Sequence, residues 1–138
     1  MISLQNVYDN PERYNLLYDL MAERDGDATI NISHHGMPSK EGHARFVDAQ
    51  PYEAWYFIKD GEEVVGSIYL SFANEIGVFI FKRHQRKGYA RRAIKMLIGT
   101  HPAGRYLANI NPRNMKSQKL FTDLGFDLVQ ETYELRCP

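Results

Sequence analysis

The sequence predicts an α/β domain of the α+β type, with a mixed, mostly antiparallel sheet and helices on both faces. The chain of 138 residues, with 43% hydrophobic and 25% charged residues, has the size and composition of one globular domain. Apolar residues alternate in some stretches and recur at helical spacing in others, which indicates strands and helices together. Neither a repeat nor a low-complexity tract divides the chain, so residues 1–138 are predicted to form a single domain.

The first third of the chain is predicted to form a strand and two helices. Residues 2–7 suit a short strand. Asn10-Pro11 supplies a helix cap and a first-turn proline, and apolar residues recur at helical spacing from Tyr14 to Met21. A second helix is expected from about Ser39, and Pro51 ends it because the residue before a proline avoids the helical conformation.

Three strands follow in the middle of the chain. Residues 54–59 are aromatic and β-prone, and Asp60-Gly61 is a hairpin signal. Residues 64–71 and 75–81 are the next two strands. A glycine inside each of these two strands indicates a bulge or a close approach of another group.

The last third is predicted to alternate helix and strand. Residues 90–98 have helical spacing, residues 106–110 are strand-like, and a helix over 114–124 is capped by Asn114. Residues 126–135 complete the sheet. The predicted order β-α-α-β-β-β-α-β-α-β therefore contains about six strands.

The charge is divided sharply although the net charge is zero. No Asp or Glu occurs from Ile76 to Thr122, and that stretch carries +11. Such a division indicates an anionic partner, which could be nucleic acid, phosphate or a phosphorylated cofactor. The eleven cations are Lys82, Arg83, Arg86, Lys87, Arg91, Arg92, Lys95, Arg105, Arg113, Lys116 and Lys119.

Cysteine usage and hydropathy predict a cytoplasmic protein. Cys137 is the single cysteine, which favours a reducing compartment. No basic and apolar leader and no run of about 18 apolar residues occurs, so neither a signal peptide nor a membrane partner is expected. The five histidines lack metal-ligand spacing, and no metal site is predicted.

Two segments carry chemical information. Residues 85–90 follow a strand and open a helix, where unpaired backbone N–H groups and the helix dipole favour an anion. Gly88 lets a phosphate approach the backbone, although a solvated basic loop is an equal alternative for this segment alone. Residues 111–126 alone indicate only a capped helix that ends at Gly125.

Together the two segments resemble the GNAT superfamily of acetyl-CoA-dependent N-acetyltransferases. Gln85-x-x-Gly88-x-Ala90 is similar to the pyrophosphate loop of that family, and Asn114-x-x-Ser117-x-x-Leu120-Phe121-x-x-x-Gly125-Phe126 is similar to its second cofactor motif. Residues 37–47, 55–58 and 65–68 fit as well, so the resemblance covers nearly the whole chain.

The resemblance implies an acetyl-CoA site and a central pair of splayed strands. The pantetheine arm would pair with the backbone of Val78, Phe79 and Ile80. Asn114, Ser117 and Phe121 would contact the pantetheine or adenosine side. The diphosphate would bind the loop and the first helical turn, at Gln85, Arg86, Lys87, Gly88, Tyr89, Ala90 and Arg91.

Phe121 departs from the family pattern, in which many members have a tyrosine that protonates the leaving thiolate. Phenylalanine cannot donate a proton. Water could replace this acid, a phenol from Tyr89, Tyr106 or Tyr133 could replace it, or activity could be weak or lost.

The proton acceptor is predicted to be Glu75. A primary amine with a pKa near ~10.4 is almost wholly protonated at pH 7, so its proton must be removed before attack on the thioester. Glu75 lies on the strand beside the expected cleft; a strand-edge charge without catalytic role is an equal alternative. Asn74 and Glu75 point to opposite faces, and a bulge at Gly77 could exchange them.

Other conspicuous side chains receive structural interpretations. His34-His35 is interpreted as a surface pair, with a place in the acceptor pocket as the alternative. Packing within strands is expected for four aromatic residues, one of which, Tyr69, could also line the cleft. The four are Tyr52, Trp55, Tyr56 and Tyr69.

The leading hypothesis is an N-acetyltransferase that moves the acetyl group of acetyl-CoA to a primary amine by direct attack in a ternary complex. The acceptor is expected to be a small molecule such as an amino sugar nucleotide, because Met37 to Val47 resembles transferases acting on such compounds; another small amine, a protein amine or a modified base stays open. A non-catalytic acyl-CoA-binding domain and a basic nucleic-acid-binding domain are the alternatives, the latter disfavoured because the aromatic residues fall in predicted core strands. The protein is expected to be a monomer or a homodimer.

Overall fold

The computed structural model describes residues 1–27 and 36–138. Four strands and four α-helices are joined by short loops, with a 3₁₀ turn after the first strand and another after the fourth. In chain order they are β1 Ile2–Asn6, α1 Arg13–Asp25, α2 Lys40–Asp48, β2 Ala54–Asp60, β3 Glu63–Leu70, β4 Ile76–Ile80, α3 Tyr89–Thr100 and α4 Met115–Asp123.

The sheet is antiparallel, with the strands in the order β1-β2-β3-β4. Gly61, at φ +61°, forms the predicted turn between β2 and β3. The register shifts once, between Ile58 and Lys59, and it is continuous across Gly77. The bulge considered at Gly77 is therefore not found between β3 and β4. The irregularity lies instead in the hairpin of β2 and β3, at Ile58 and Lys59.

Two apolar layers cover the two faces of the sheet, as predicted. On one face Ile58, Ile68 and Ile80 pack with α3 and with Phe121 of α4. On the other face Phe57 and Phe79 pack with α1 and α2. Helices on both faces thus bury the alternating apolar residues of each strand.

Close packing explains the two glycines inside β3 and β4. A Cβ atom at Gly66 would collide with the carbonyl oxygen of Phe79, and one at Gly77 would collide with the ring of Tyr69. Gly77 therefore provides the space in which the Tyr69 ring lies against β4.

The prediction of about six strands is wrong, because the last two predicted strands, 106–110 and 126–135, are not formed. Residues 106–110 form a single parallel bridge, Glu75 to Leu107, and residues 127–138 are exposed without secondary structure. Apolar alternation in 126–135 predicts a strand, but a strand also needs a hydrogen-bonded neighbour, and the described residues offer this segment none.

The helix starts follow the capping residues closely. Ser39 accepts a hydrogen bond from Gly42 N at 3.0 Å and caps α2 as predicted. Asn10 instead accepts from Glu12 N at 2.8 Å in a turn, and α1 begins at Arg13. In the part of the chain that the structure describes, no helix has the length and apolarity needed to cross a bilayer.

Candidate active site

A cavity of about 360 Å³ lies where α1 and α2 face the outer edge of β4 and the start of α4. It brings together three groups of residues that are far apart in the chain. They are Leu17, Leu20, Met21, Arg24, His43, Phe46, Tyr52 and Trp55; then Ser67, Tyr69, Glu75, Ile76, Gly77, Val78 and Phe79; then Asn109, Ile110, Asn111, Asn114, Ser117 and Phe121.

β4 separates from the next segment of chain directly after their single bridge. Ile76 N donates to Leu107 O at 2.8 Å, and Leu107 N donates to Asn74 O at 2.9 Å. Among the described residues β4 has no further backbone partner on that side, since it is the edge of the sheet, and the side chain of Gln85 bonds there to Ile80 O. Residues 76–79 line the cavity beside this edge.

The β3–β4 register decides which backbone groups face the opening. Phe81 N donates to Val65 O and Ser71 N donates to Glu75 O, so the odd-numbered residues of β4 pair with β3. Because antiparallel bonding alternates, Val78 and Ile80 direct their backbone groups outward. The backbone of Phe79 faces Ser67 of β3, so the register does not support Phe79 as a backbone partner for a ligand.

The loop before α3 offers a row of backbone amides. Arg86 (φ +67°) and Gly88 (φ +77°) both adopt the left-handed conformation. Gly88 is the N-cap of α3, and no side chain caps that helix. The first-turn N–H groups are therefore available to an anion, and the helix dipole favours negative charge there.

Side chains fix this loop in place. Gln85 Nε2 donates to Ile80 O at 3.0 Å, and Arg92 donates to Lys87 O at 3.1 Å and to Gly88 O at 3.3 Å. Tyr89 is buried, and its hydroxyl donates to Asp60. Exposed Arg86, Lys87 and Arg91 surround the amides with positive charge, whereas Arg92 holds the loop itself.

The start of α4 forms another wall of the cavity. Asn114 Oδ1 accepts from Ser117 N at 3.0 Å and caps the helix as predicted. Asn114, Ser117 and Phe121 all line the cavity. Phe121 is 5% exposed, and its ring meets Phe126 edge-on at 5.0 Å between ring centroids.

Replacing Asn114 with Ala is expected to lower stability and weaken ligand binding together. Loss of an N-cap side chain costs about 1 kcal/mol of the free energy of unfolding. Ser39→Ala removes the corresponding cap from α2 and serves as the matched control. Thermal melting should report a loss in both variants, and calorimetry should report weaker acetyl-CoA binding only in Asn114→Ala; equal binding by both would remove Asn114 from the site.

Glu75 lies in the cavity with both carboxylate oxygens engaged. Ser71 Oγ donates to Oε1 at 3.3 Å, and Asn109 Nδ2 donates to Oε2 at 2.7 Å. These bonds orient the carboxylate, and no cationic side chain of residues 1–27 and 36–138 forms a salt bridge with it. Asn109 was not predicted as a site residue. Its only sequence signal is its place in the strand-like segment 106–110, and the bridge between Leu107 and Glu75 brings it to the carboxylate.

Aromatic side chains form part of the cavity wall, a role that the prediction had allowed only for Tyr69. The rings of Tyr52 and Tyr69 stack at 3.8 Å with 6° between their planes, and Trp55 meets Tyr52 edge-on at 4.8 Å. All three line the cavity, whereas Tyr56 bonds to His101. Burial raises the pKa of Tyr52 and of Tyr69, so both phenols are protonated at neutral pH.

Two basic residues complete the aromatic end of the cavity. Burial raises the pKa of both Tyr52 and Tyr69, and the charge of Arg24, which also lines the cavity, opposes part of that rise. Burial lowers the pKa of His43, which is therefore neutral at pH 7. His34 and His35 lie outside the described residues.

Residues 15–126 match the sequence profile of the acetyltransferase (GNAT) family. The chain belongs to this family. A comparison with curated protein sequences finds no match.

Acetyltransferases of known structure share the fold. An acetyltransferase from Thermus thermophilus has a TM-score of 0.70 at 23% identity, over 95% of this chain and 90% of that one. YncA of Salmonella typhimurium, solved with its cofactor acetyl-CoA, has a TM-score of 0.70 at 18% sequence identity. The match covers 91% of this chain and 78% of that one. A GNAT superfamily phosphinothricin acetyltransferase from Sinorhizobium meliloti, also solved with acetyl-CoA, has a TM-score of 0.72 at 20% sequence identity. The match covers 94% of this chain and 76% of that one.

The three phenols considered as substitutes for the usual GNAT tyrosine lie away from the cavity. Tyr89 bonds to Asp60, Tyr106 donates to His101 O, and Tyr133 is 87% exposed and donates to Glu131. None of them lines the cavity, so this part of the prediction is not supported. The phenols that do line it are Tyr52 and Tyr69, which the segment before β2 and strand β3 supply.

Proposed function

We propose that this GNAT enzyme transfers the acetyl group of acetyl-CoA to a primary amine of a small molecule, by direct attack in a ternary complex. The observation that carries the proposal is the position of Glu75. Its oriented carboxylate lies in one cavity together with residues of the open edge of β4 and with the aromatic residues Tyr52, Trp55 and Tyr69.

The residues of the open edge and the loop suit coenzyme A. The outward N–H and C=O of Val78 and the N–H of Ile80 can pair with the amides of a pantetheine arm, whereas Ile80 O already accepts from Gln85. The uncapped amides from Arg86 to Arg91 can hold a diphosphate, because Gly88 leaves open space on its Cβ side. Bound acetyl-CoA would supply the acetyl thioester.

Glu75 is proposed to accept the proton that the acceptor amine must lose. The amine nitrogen forms an amide bond to the acetyl carbon, the carbon–sulfur bond breaks, and the thiol leaves with one proton. Asn109 donates to Glu75 Oε2 and so holds the other oxygen, Oε1, near Ser71. A general base of this kind typically contributes about 10²–10⁴-fold to the rate.

The acceptor is proposed to be a small amine with a flat or ring-shaped part, such as an amino sugar nucleotide. The stacked Tyr52 and Tyr69 and the edge of Trp55 offer surfaces on which a ring can pack. The phosphinothricin enzyme of similar fold is named for a small amine substrate, which supports a small acceptor. A coenzyme A release assay over amino sugar nucleotides, amino acids, polyamines and peptides tests this; turnover on peptides alone would contradict it.

Phe121 favours one alternative, a GNAT protein that binds acyl-CoA without catalysis. The usual acid is missing at this position, so binding without turnover on any amine would support the alternative. Nucleic-acid binding is the weaker alternative, since the aromatic residues of the charged stretch are largely buried in the core. Affinity for DNA or RNA that falls steeply with salt would favour it.

Phe121→Tyr is expected to raise turnover by at most about 100-fold, because thiolate is a good leaving group and a general acid adds about 10²–10⁴-fold. The Phe121 ring faces both the cavity and Phe126, so the new hydroxyl can reach the cavity. Coenzyme A release and melting temperature are measured together.

The control is Phe126→Tyr, which adds a hydroxyl to the other ring of the pair and should leave turnover unchanged. A hydroxyl buried without a partner costs about 1–3 kcal/mol. If Phe121→Tyr lowers the melting temperature and gives no gain in turnover, the position serves the core and the alignment of the second motif with the cleft is wrong.

A further inference from the structure

Charged side chains are sparse in the cavity that contains Glu75. None of the eleven cations of the 76–122 stretch lines it. Arg24, which lies outside that stretch, is the one lysine or arginine among the described residues that do. Burial lowers the pKa of His43, so its ring adds no charge at pH 7. The described wall of the cavity thus carries one permanent cation and one carboxylate.

Helical spacing brings Arg24 to this cavity. Four residues of α1 line it at positions i, i+3, i+4 and i+7, namely Leu17, Leu20, Met21 and Arg24. The first three are apolar, so Arg24 continues the inward face of the helix with a charged group. Arg24 also interacts within the chain, and its guanidinium has five N–H donors, so it can bind a ligand as well.

Two phenols share the cavity with Arg24 and can donate hydrogen bonds beside it. Tyr52 and Tyr69 keep their protons at neutral pH, because burial raises the pKa of each. Against that larger rise, Arg24 lowers the pKa of Tyr69, whereas Glu75 raises it further. Both charges therefore act on the Tyr69 ring, and Glu75 forms no salt bridge with a cation of residues 1–27 and 36–138.

We propose that Arg24 determines acceptor specificity by binding an oxyanion, a carboxylate or a phosphate, on the same small molecule whose amine approaches Glu75. This inference rests on the proposed acetyl transfer, and it narrows the acceptor to amines that also carry an anionic group.

The charges of such an acceptor complement the charges of the cavity. Before it loses its proton the amine is an ammonium, so the molecule presents a cation to Glu75 and an anion to Arg24. A guanidinium binds carboxylate or phosphate through two parallel hydrogen bonds, which an ammonium cannot do. A polyamine has no anion and would present a further cation to Arg24, so the same arrangement selects against polyamines.

Matched acceptors that differ by one anion test the inference. Glucosamine 6-phosphate is compared with glucosamine, and tyrosine with tyramine, so that phosphate and carboxylate are tested separately. Calorimetry in the presence of coenzyme A, which has no acetyl group to transfer, should show about 10- to 100-fold tighter binding of the anionic member in at least one pair. Coenzyme A release from acetyl-CoA should show the same preference in KM.

Substitutions at Arg24 show whether this side chain causes the preference. Arg24→Gln should reduce the preference to about one, and Arg24→Lys should keep part of it, because the charge stays while the planar fork is lost. Arg45→Gln is the matched control and should keep the full preference, since Arg45 is exposed on α2 and does not line the cavity. If Arg24→Gln does not fold, the wild-type preference and its partial loss in Arg24→Lys still decide.

The inference and the proposed function fail in different ways. Preferred binding of the anionic members without coenzyme A release on any amine would overturn the acetyl transfer and leave Arg24 as an anion site. Turnover that is equal within both pairs, or faster on spermidine than on either anionic acceptor, would overturn the anion site and leave the acetyl transfer standing. A preference that survives Arg24→Gln, or no binding of any probe, also overturns the anion site.

Discussion

Gly88→Val is expected to weaken acetyl-CoA binding by about 10- to 100-fold, the equivalent of losing one or two hydrogen bonds to a charged group. Gly88 has φ +77°, and the space beyond its Cβ position is open. A branched side chain would therefore occupy the place where we propose that a diphosphate meets the amides, and it would strain the N-cap of α3. Titration calorimetry measures the effect directly.

Gly61→Val is the matched control for backbone strain. Gly61 has φ +61° and equally open space, but it lies in the β2–β3 turn. Both variants should lose stability, and only Gly88→Val should lose affinity. Arg91→Ala should weaken binding less, because it removes one exposed charge and leaves the amides in place. Normal binding by Gly88→Val would remove the loop from the cofactor site.

Glu75→Gln is expected to lower turnover by roughly 100-fold or more at pH 7 while acetyl-CoA affinity is unchanged. Glutamine keeps the shape of the side chain and can still accept from Asn109, but it cannot take a proton. The loss should shrink as the pH rises toward the amine pKa of about 10.4, because the acceptor then loses its proton to solvent.

Glu53→Gln provides the control, since Glu53 is an exposed residue before β2 and does not line the cavity. It should leave the pH–rate profile unchanged. A loss in Glu75→Gln that is equally large at every pH would show that Glu75 positions other groups and accepts no proton. Turnover at the unchanged rate would return Glu75 to the role of a strand-edge charge.

Much of the fold follows from local signals in the chain. Helix α3, helix α4 and the three middle strands have strong periodicity together with capping or turn residues, and the structure confirms their positions within a few residues. The segments at 106–110 and 126–135 show the same apolar alternation. Alternation reports which faces can be buried, whereas a strand also depends on a distant partner that no local pattern specifies.

The candidate site was predictable to different degrees. The loop at Gly88 and the cap at Asn114 are local motifs, and the sequence places them well. Asn109 and the Tyr52–Tyr69 stack arise only where the chain folds back on itself, so spacing gives no sign of them. Phe79 was predicted beside Val78 as a ligand partner, and only the strand register shows that their backbones point in opposite directions.

Trp55 is the single tryptophan of the chain, and it lies in the wall of the cavity beside Tyr52. The intrinsic indole fluorescence of the whole protein therefore comes from one position in the wall of the cavity. Light at the red edge of the absorption band excites this ring without exciting the nine tyrosines. Acceptor molecules can thus be screened by quenching or a spectral shift of native, unlabelled enzyme, before any turnover is measured.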